Sequence, residues 1–359
     1  MRIFIHGPLF QGKLTEDLLR ISVEQLIKQA LPDAQISTII DVPEELRTPK
    51  GLLGWLNAKV TLLLLLGGDL LGRLNIPFLS GSEWLNKRKF DIVIFGAGYR
   101  KEDKKLSANE KDALTGLLIN AKSLSVRGQK TADMLKKMGV KAEVIGDPVF
   151  SFEPSDLSGF MEDLFSIQRP MVAVNLRHLS SEDMGAFKKS LSHDFIEDVF
   201  AELLKNDFAE YGKIFLPFTL PSKGNGDAAL HGTLTAKYGG ELSLKYWNLD
   251  KMASFIREVD FLLSMRLHPI LLALKFGTPT YLIDYQYDKL ADALSAGGLD
   301  KATKSLSLFN GNQMEQPFMG MGALRYAEKY KDKAPAIQHA VEKLAETQLQ
   351  YMKKILKGR

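Results

Sequence analysis

The sequence contains no cysteine, which excludes disulfides, thiolate nucleophiles and cysteine-ligated metals. It also lacks an apolar run near the roughly twenty residues that a membrane-spanning helix needs. The greasiest stretch, Leu62–Leu66, is far shorter. The amino terminus runs straight into a strand-like Arg2–Ile5 without the apolar core and cleavage site of a signal peptide, so a cytoplasmic location is expected. Charge of one sign is scarce as well. A net charge of +4 over 359 residues is too small to argue for nucleic acid. The basic runs Lys87-Arg88-Lys89 and Lys353–Arg359 read as solvated surface, at most a weak attraction to anionic lipid at the inner membrane face.

Several catalytic signatures are missing too. There is no Asp-x-Asp pair, so the usual diphosphate–metal site of many sugar-nucleotide transferases has no counterpart. Glycine fingerprints for dinucleotides and P-loops do not occur in their strand–helix contexts. Gly-x-Ser-x-Gly is absent, which removes the hydrolase elbow. The histidines show no close pairing of the kind zinc uses, and His193 and His339 fall in helical, exposed surroundings. No metal site is expected.

What is present is a repeated alternation of strands and helices. The length suits two domains of about 150 to 180 residues. Ile3–Ile5, Ile36–Ile40, Thr61–Leu66 and Ile92–Phe95 read as strands, and Thr15–Ala30 and Ala108–Ala121 as helices. Two of the strands break into glycine turns, Gly67-Gly68-Asp69 and Gly96-Ala97-Gly98, as buried parallel strands do at their carboxyl ends. Leu124–Gly128, Thr131–Met138 and Val144-Ile145 continue the pattern. It restarts at Met171–Asn175 and runs through a helix near Asp194–Lys205, a strand at Lys213–Pro217 and a helix at Leu249–Arg257. Leu324–Leu356 is strongly helical and suits a surface helix crossing back over the first domain. The expected architecture is α/β, with two Rossmann-like domains facing across a cleft at 1–165 and 166–325, and a helical segment at 326–359.

The most informative stretch is Ser264-Met265-Arg266-Leu267-His268-Pro269. A short strand at Val259–Leu263 precedes it. A helix follows in which Pro269 sits in the tolerant first turn and Gly277 supplies a left-handed cap. A second strand, Thr280–Ile283, completes a β–α–β unit, and a helix near Lys289–Ala296 comes next. In open α/β sheets, ligands bind outside the carboxyl ends of the strands. Arg266 there offers a permanent planar cation, and His268 a proton exchanged near neutral pH. The bland reading is a helix-capping or surface histidine beside a structural arginine. Arg127, Arg177 and Arg266 all fall at strand ends, where arginine needs an anionic partner, either ligand or protein. For Arg127 a structural pair with Asp147 competes equally.

Two segments resemble the polysaccharide pyruvyl transferase family. One is Ser125-Val126-Arg127-Gly128, followed by Met134–Val140 and Asp147-Pro148-Val149-Phe150. The other is Met265-Arg266-Leu267-His268, followed by Ala273-Leu274, Gly277-Thr278-Pro279 and Tyr285…Lys289. The sequence departs from the family pattern at His6–Gly12, where a Gly-Asn-x-Gly-Asp loop is common, and at Gly128, where an aspartate is usual. The resemblance implies a GT-B-like fold and transfer of a pyruvyl group from phosphoenolpyruvate to a sugar as a ketal, releasing phosphate, with no cofactor. It implies Arg177, Arg266 and Lys289 as donor ligands and His268 as the acid. Gly67, Gly68, Asp69, Gly98 and Arg127 would line the cleft on the acceptor side. The acceptor would be an oligosaccharide unit, in one form lipid-linked. The alternatives are a nucleotide-sugar glycosyltransferase of the same architecture and a non-catalytic glycan-binding relative.

Overall fold

The computed structural model describes residues 1–7, 14–68, 83–98, 108–157, 169–176, 203–216, 227–243, 247–284, 289–303, 308–310 and 323–357. Its first half builds strands β1 (Arg2–His6), β2 (Gln35–Ser37), β3 (Leu62–Gly68), β4 (Asp91–Ala97), β5 (Ser123–Val126) and β6 (Glu143–Val144). They form one sheet in the order β2-β1-β3-β4-β5-β6, every pairing parallel. Helices α1 (Leu14–Ala30), α2 (Pro49–Lys59), α3 (Glu83–Lys87), α4 (Ala108–Asn120) and α5 (Gln129–Lys137) link the strands. Parallel strands covered on both faces need side chains that are apolar throughout. Leu62–Leu66 and Ile92–Phe95 supply them, all buried.

The second half repeats the design. Strands β7 (Met171–Asn175), β8 (Gly212–Phe215), β9 (Glu241–Leu242), β10 (Phe261–Ser264), β11 (Thr280–Asp284) and β12 (Leu308–Asn310) order as β12-β11-β10-β7-β8-β9, again all parallel. This is the doubly wound order of a Rossmann unit, whose strand direction of growth reverses between β7 and β10. The helices here are α6 (Asp227–Tyr238), α7 (Leu249–Glu258), α8 (Leu267–Phe276), α9 (Lys289–Leu294) and α10 (Leu299–Thr303). Gly277 closes α8 at φ 72°, ψ 18°, the left-handed cap expected of it.

After α11 (Ala323–Lys331), helix α12 (Ala334–Lys357) crosses from the second unit back to the first. Near its start Gln338 Nε2 donates to Lys275 O at the end of α8. Midway, Gln348 Nε2 donates to Ile145 O (3.1 Å) and Asp147 O (2.8 Å), and its Oε1 contacts Ser151 Oγ. Near its end Lys354 Nζ reaches Glu143 Oε1 at 2.7 Å. Ile337, Val341, Leu344, Gln348, Tyr351, Met352 and Ile355 lie on one buried stripe at helical spacing. The helix is the expected surface helix crossing back over the first unit, with one buried stripe and an exposed opposite face.

Some boundaries moved for local reasons. The strand expected at Ile36–Ile40 ends at Ser37, because Asp41 Oδ2 accepts the Thr38 N–H at 2.6 Å and turns Ile39–Asp41 into a 3-10 helix. The strand expected at Val259–Leu263 begins only at Phe261. Asp260 at its entry spends Oδ2 on the Met171 N–H (2.8 Å) and on Arg169. The helix expected at Asp194–Lys205 falls largely outside the described residues. Its last part opens Leu203–Asp207, a turn of π-helix.

Candidate functional site

Strands β7 and β10 lie side by side, with Ser264 opposite Asn175. Their carboxyl ends form the reversal point of the second sheet, where such folds leave a crevice. A buried polar chain fixes this point. Asn175 Nδ2 donates to Leu216 O beyond β8 (2.5 Å), Ser264 Oγ donates to Asn175 Oδ1 (3.3 Å), and the Arg266 N–H donates to Ser264 Oγ (3.1 Å). Small polar side chains at the last strand position thus tie the turns to one another in a low-dielectric setting.

Arg266 is the N-cap residue of α8, and His268 sits in its first turn. Both are partly exposed. Arg266 Nη2 donates to Asp227 Oδ1 at 2.5 Å, with Arg266 21% exposed and Asp227 fully buried. One turn along α6, His231 is also fully buried. Its Nε2 accepts the Leu176 N–H at 2.9 Å, so the neutral ring carries its proton on Nδ1. Burial lowers the His231 pKa from 6.5 to about 4, against the opposing pull of Asp227.

Lys289 opens α9 after β11, the next strand over from β10, and is partly exposed. Three residues on, Asp292 faces the first unit. Its Oδ1 accepts the Thr131 N–H (3.0 Å), its Oδ2 accepts Thr131 Oγ1–H (2.6 Å), and Oδ2 pairs with Arg127 Nε at 3.4 Å. Ser295 Oγ accepts the Gln129 N–H at 2.7 Å. Together these groups cap the amino terminus of α5 with a carboxylate and a hydroxyl.

Arg127 has no exposed surface. Its partner is Asp292 of the second unit instead of Asp147, whose Oδ1 accepts the Val149 N–H. Full burial against Asp292 fits the structural reading of Arg127. Gly98 and Gly128 serve the same contact. A Cβ on Gly98 would stand 2.3 Å from the Arg127 guanidinium carbon, and one on Gly128 would stand 1.9 Å from Asp292 O.

Gly67 and Gly68 end β3 beside β4, with Gly68 opposite Ala97. Asp69 and Arg177 lie outside the described residues, although Leu176, next to Arg177, is tied to His231. Residues missed by the motifs are Asp227, His231 and Asp292. The sequence signal for the first pair was an aspartate and a histidine one turn apart on a face that continues to buried Leu234. His6, at the end of β1, was noted only as the start of a loop. Burial lowers its pKa to about 4, leaving it neutral. Among the described residues, no group of His, Asp or Glu is placed to hold a metal, and no helix is long and apolar enough to cross a membrane.

Comparisons with known proteins agree with this architecture. The family model described as polysaccharide pyruvyl transferase matches residues 16–287. Comparison with curated protein sequences finds no match. Among solved structures, the chain is similar to UDP-GlcNAc 2-epimerase from Neisseria meningitidis bound to UDP-GlcNAc. That similarity has a TM-score of 0.55 and 13% identity, covering 98% of this chain and 100% of the other. It is also similar to the glycosyltransferase SnogD from Streptomyces nogalater, with a TM-score of 0.52 and 14% identity, covering 98% of each chain. An O-GlcNAc transferase variant from Thermobaculum terrenum gives 0.56 and 12%, covering 99% of this chain and 66% of the other. At these identities the likeness establishes the GT-B-like fold of paired Rossmann-like units.

Proposed function

The chain belongs to the polysaccharide pyruvyl transferase family, and from that premise we propose that it moves the pyruvyl group of phosphoenolpyruvate onto a sugar of a polysaccharide or oligosaccharide precursor. The product is a cyclic ketal on two hydroxyls, and phosphate is released. The observation that carries this reading is the pairing, at the β10–α8 turn, of a braced arginine with a histidine two residues on. A small polyanionic donor needs fixed cations. Arg266 is oriented by Asp227 and keeps exposed surface, and Lys289 follows the neighbouring strand. Arg177, next to the anchored Leu176, completes the set.

His268 is the acid in this scheme. It delivers a proton to the donor methylene carbon, which makes C2 electrophilic. A sugar hydroxyl adds to C2 and returns its proton to His268, the C2–O bond to phosphate breaks, and a second hydroxyl closes the ring, its proton leaving with the phosphate. Holding the hydroxyls at attack distance falls to the first unit, and positioning of this kind accounts for much of the rate in such transfers. No metal or organic cofactor takes part. The acceptor is an oligosaccharide unit, and a lipid-linked form at the inner membrane face fits the same chemistry.

The test is release of inorganic phosphate from phosphoenolpyruvate across a panel of β-galactoside and N-acetylmannosamine acceptors, with UDP-sugars as the competing donors. Acceptor-dependent phosphate release with phosphoenolpyruvate supports the reading. Consumption of a UDP-sugar in its place would sink it.

A further inference from the structure

The strands of the first sheet all run the same way. Their entries therefore share one edge, and the helices that lead into them end there. Exposed lysines crowd this edge. Lys87 and Lys89 stand before β4, Lys122 before β5, and Lys136, Lys137 and Lys141 before β6. Helix α12 ends on the same side, where Tyr351 and Ser123 share a hydrogen bond, and it brings Lys354. The acids at the entries to β4 and β6 are each answered by a lysine. Asp91 pairs with Lys122 at 3.2 Å and Glu143 with Lys354 at 2.7 Å.

A lysine in the last turn of a helix answers the helix dipole, and Lys87, Lys136 and Lys137 are so placed. Lys89, Lys122 and Lys141 lie beyond the helix ends, where the dipole makes no such demand. The second unit supplies the contrast. Its helices also close near Lys237, Arg257 and Lys275, yet its strand entries carry Glu210, Glu241 and Asp260. The net charge of the chain is only +4, so the excess is one of placement, which a sum over the sequence conceals. Two large apolar side chains share the edge. Ile119, 71% exposed, lies in the last turn of α4, and Met138, 46% exposed, is the C-cap of α5. Both helices cover the same face of the sheet, through Leu114, Leu117 and Leu135. Arg88 joins the entry of β4 to the end of α4, its Nη2 donating to Asn120 O at 3.3 Å.

We propose that this edge of the first unit docks on an anionic lipid bilayer, its lysines meeting the headgroups while Ile119 and Met138 enter the interface between them. Charge complementarity selects an anionic partner. Apolar tips among the charges select a lipid over a soluble polyanion, which has no apolar layer to receive them. Each lysine near such a surface strengthens binding about fivefold. The carboxyl ends of the strands, where ligands bind, lie at the opposite edge, roughly 20 Å away at about 3.3 Å per residue along β4. Docking therefore leaves that edge open. The inference is independent of the donor chemistry.

The experiment measures flotation of the full chain with vesicles of phosphatidylcholine alone and with vesicles containing about one-third phosphatidylglycerol. Binding to heparin, a soluble polyanion, is measured alongside. One variant combines Lys89→Gln, Lys137→Gln and Lys141→Gln. A second makes the same change in net charge on the other unit, with Lys205→Gln, Lys237→Gln and Lys251→Gln. A third combines Ile119→Ser and Met138→Ser. All eight side chains are exposed, so thermal melting should match the wild type. The wild type should bind only the anionic vesicles, and the first variant should bind them about a hundredfold more weakly. The second should stay within about threefold. The third should lose about tenfold on vesicles and nothing on heparin. A wild type that ignores anionic vesicles overturns the inference. Equal losses in the two lysine variants would also overturn it, since net charge alone would then be acting. Vesicle binding indifferent to Ile119→Ser and Met138→Ser would make the edge a site for a soluble polyanion instead.

Discussion

Arg127 and Arg266 stand in comparable places, each just past the end of a central parallel strand and each paired with a buried carboxylate. They do different work. Arg266 is held by Asp227 within its own unit and keeps 21% of its side chain exposed. Arg127 is held by Asp292 of the other unit and keeps none. On the proposed function, the surface that Arg266 keeps is what meets the donor. A guanidinium enclosed on all sides serves as half of a joint. On the proposed function, the counter-charge comes from the same unit for the donor-binding arginine and from the other unit for the structural one.

The largest effect that could break this comparison lies beside Arg266. His268→Ala should lower turnover by roughly two to four powers of ten, as for a lost acid, with donor affinity changing far less. Single-turnover rates set against donor binding make the check. If rate and affinity fall together, His268 positions the donor instead of protonating it.

Next in size is the joint. Asp292→Ala leaves Arg127 buried without its carboxylate, which should cost about 3–5 kcal/mol of stability, read from chemical denaturation. Donor affinity of the folded protein should hold. A loss of affinity like that of an Arg266 variant would show that the joint also sets Lys289, three residues earlier on α9, and would blur the distinction drawn here.

Arg266→Lys keeps the charge but loses the planar fork. Donor KM should rise about tenfold, worth roughly 1.4 kcal/mol of binding, with a much smaller change in melting temperature than Asp292→Ala gives. Unchanged donor kinetics would make Arg266 as structural as Arg127.

The smallest effect is in pH. His231 has a folded pKa of about 4 against an ordinary 6.5. The unfolded chain therefore binds the proton first, and stability is complete above about pH 6.5 and falls as pH drops toward about 4. Between about pH 7.5 and about pH 5.5 the wild type should lose on the order of 1.4 kcal/mol more than His231→Gln. Parallel stability curves for the two proteins would mean that the folded ring takes up its proton at the same pH as the unfolded chain.

Periodicity and turn chemistry made much of this legible from the sequence. The apolar strands Leu62–Leu66 and Ile92–Phe95 declare a sheet buried on both faces, and Gly277 after the run beginning at Ile270 declares the end of α8. Arg266 and His268 were readable because motif and strand end coincide within a few residues. The expected Ile36–Ile40 strand stops at Ser37 because a single Asp41 carboxylate takes the Thr38 N–H from the sheet, a choice that apolar spacing does not encode.

Local pattern alone determined the strand and helix alternation, the caps and the turn that carries Arg266 and His268, because each depends on interactions within a few residues. Only the tertiary structure decided which carboxylate answers which arginine. Asp292 lies 165 positions from Arg127 and Asp227 lies 39 from Arg266, and folding brings each pair together from different elements. A buried charge is satisfied by whatever the fold places beside it, whatever the distance along the chain. Asp147, the nearer carboxylate for Arg127, caps the 3-10 turn that follows it, its Oδ1 accepting the Val149 N–H two residues away.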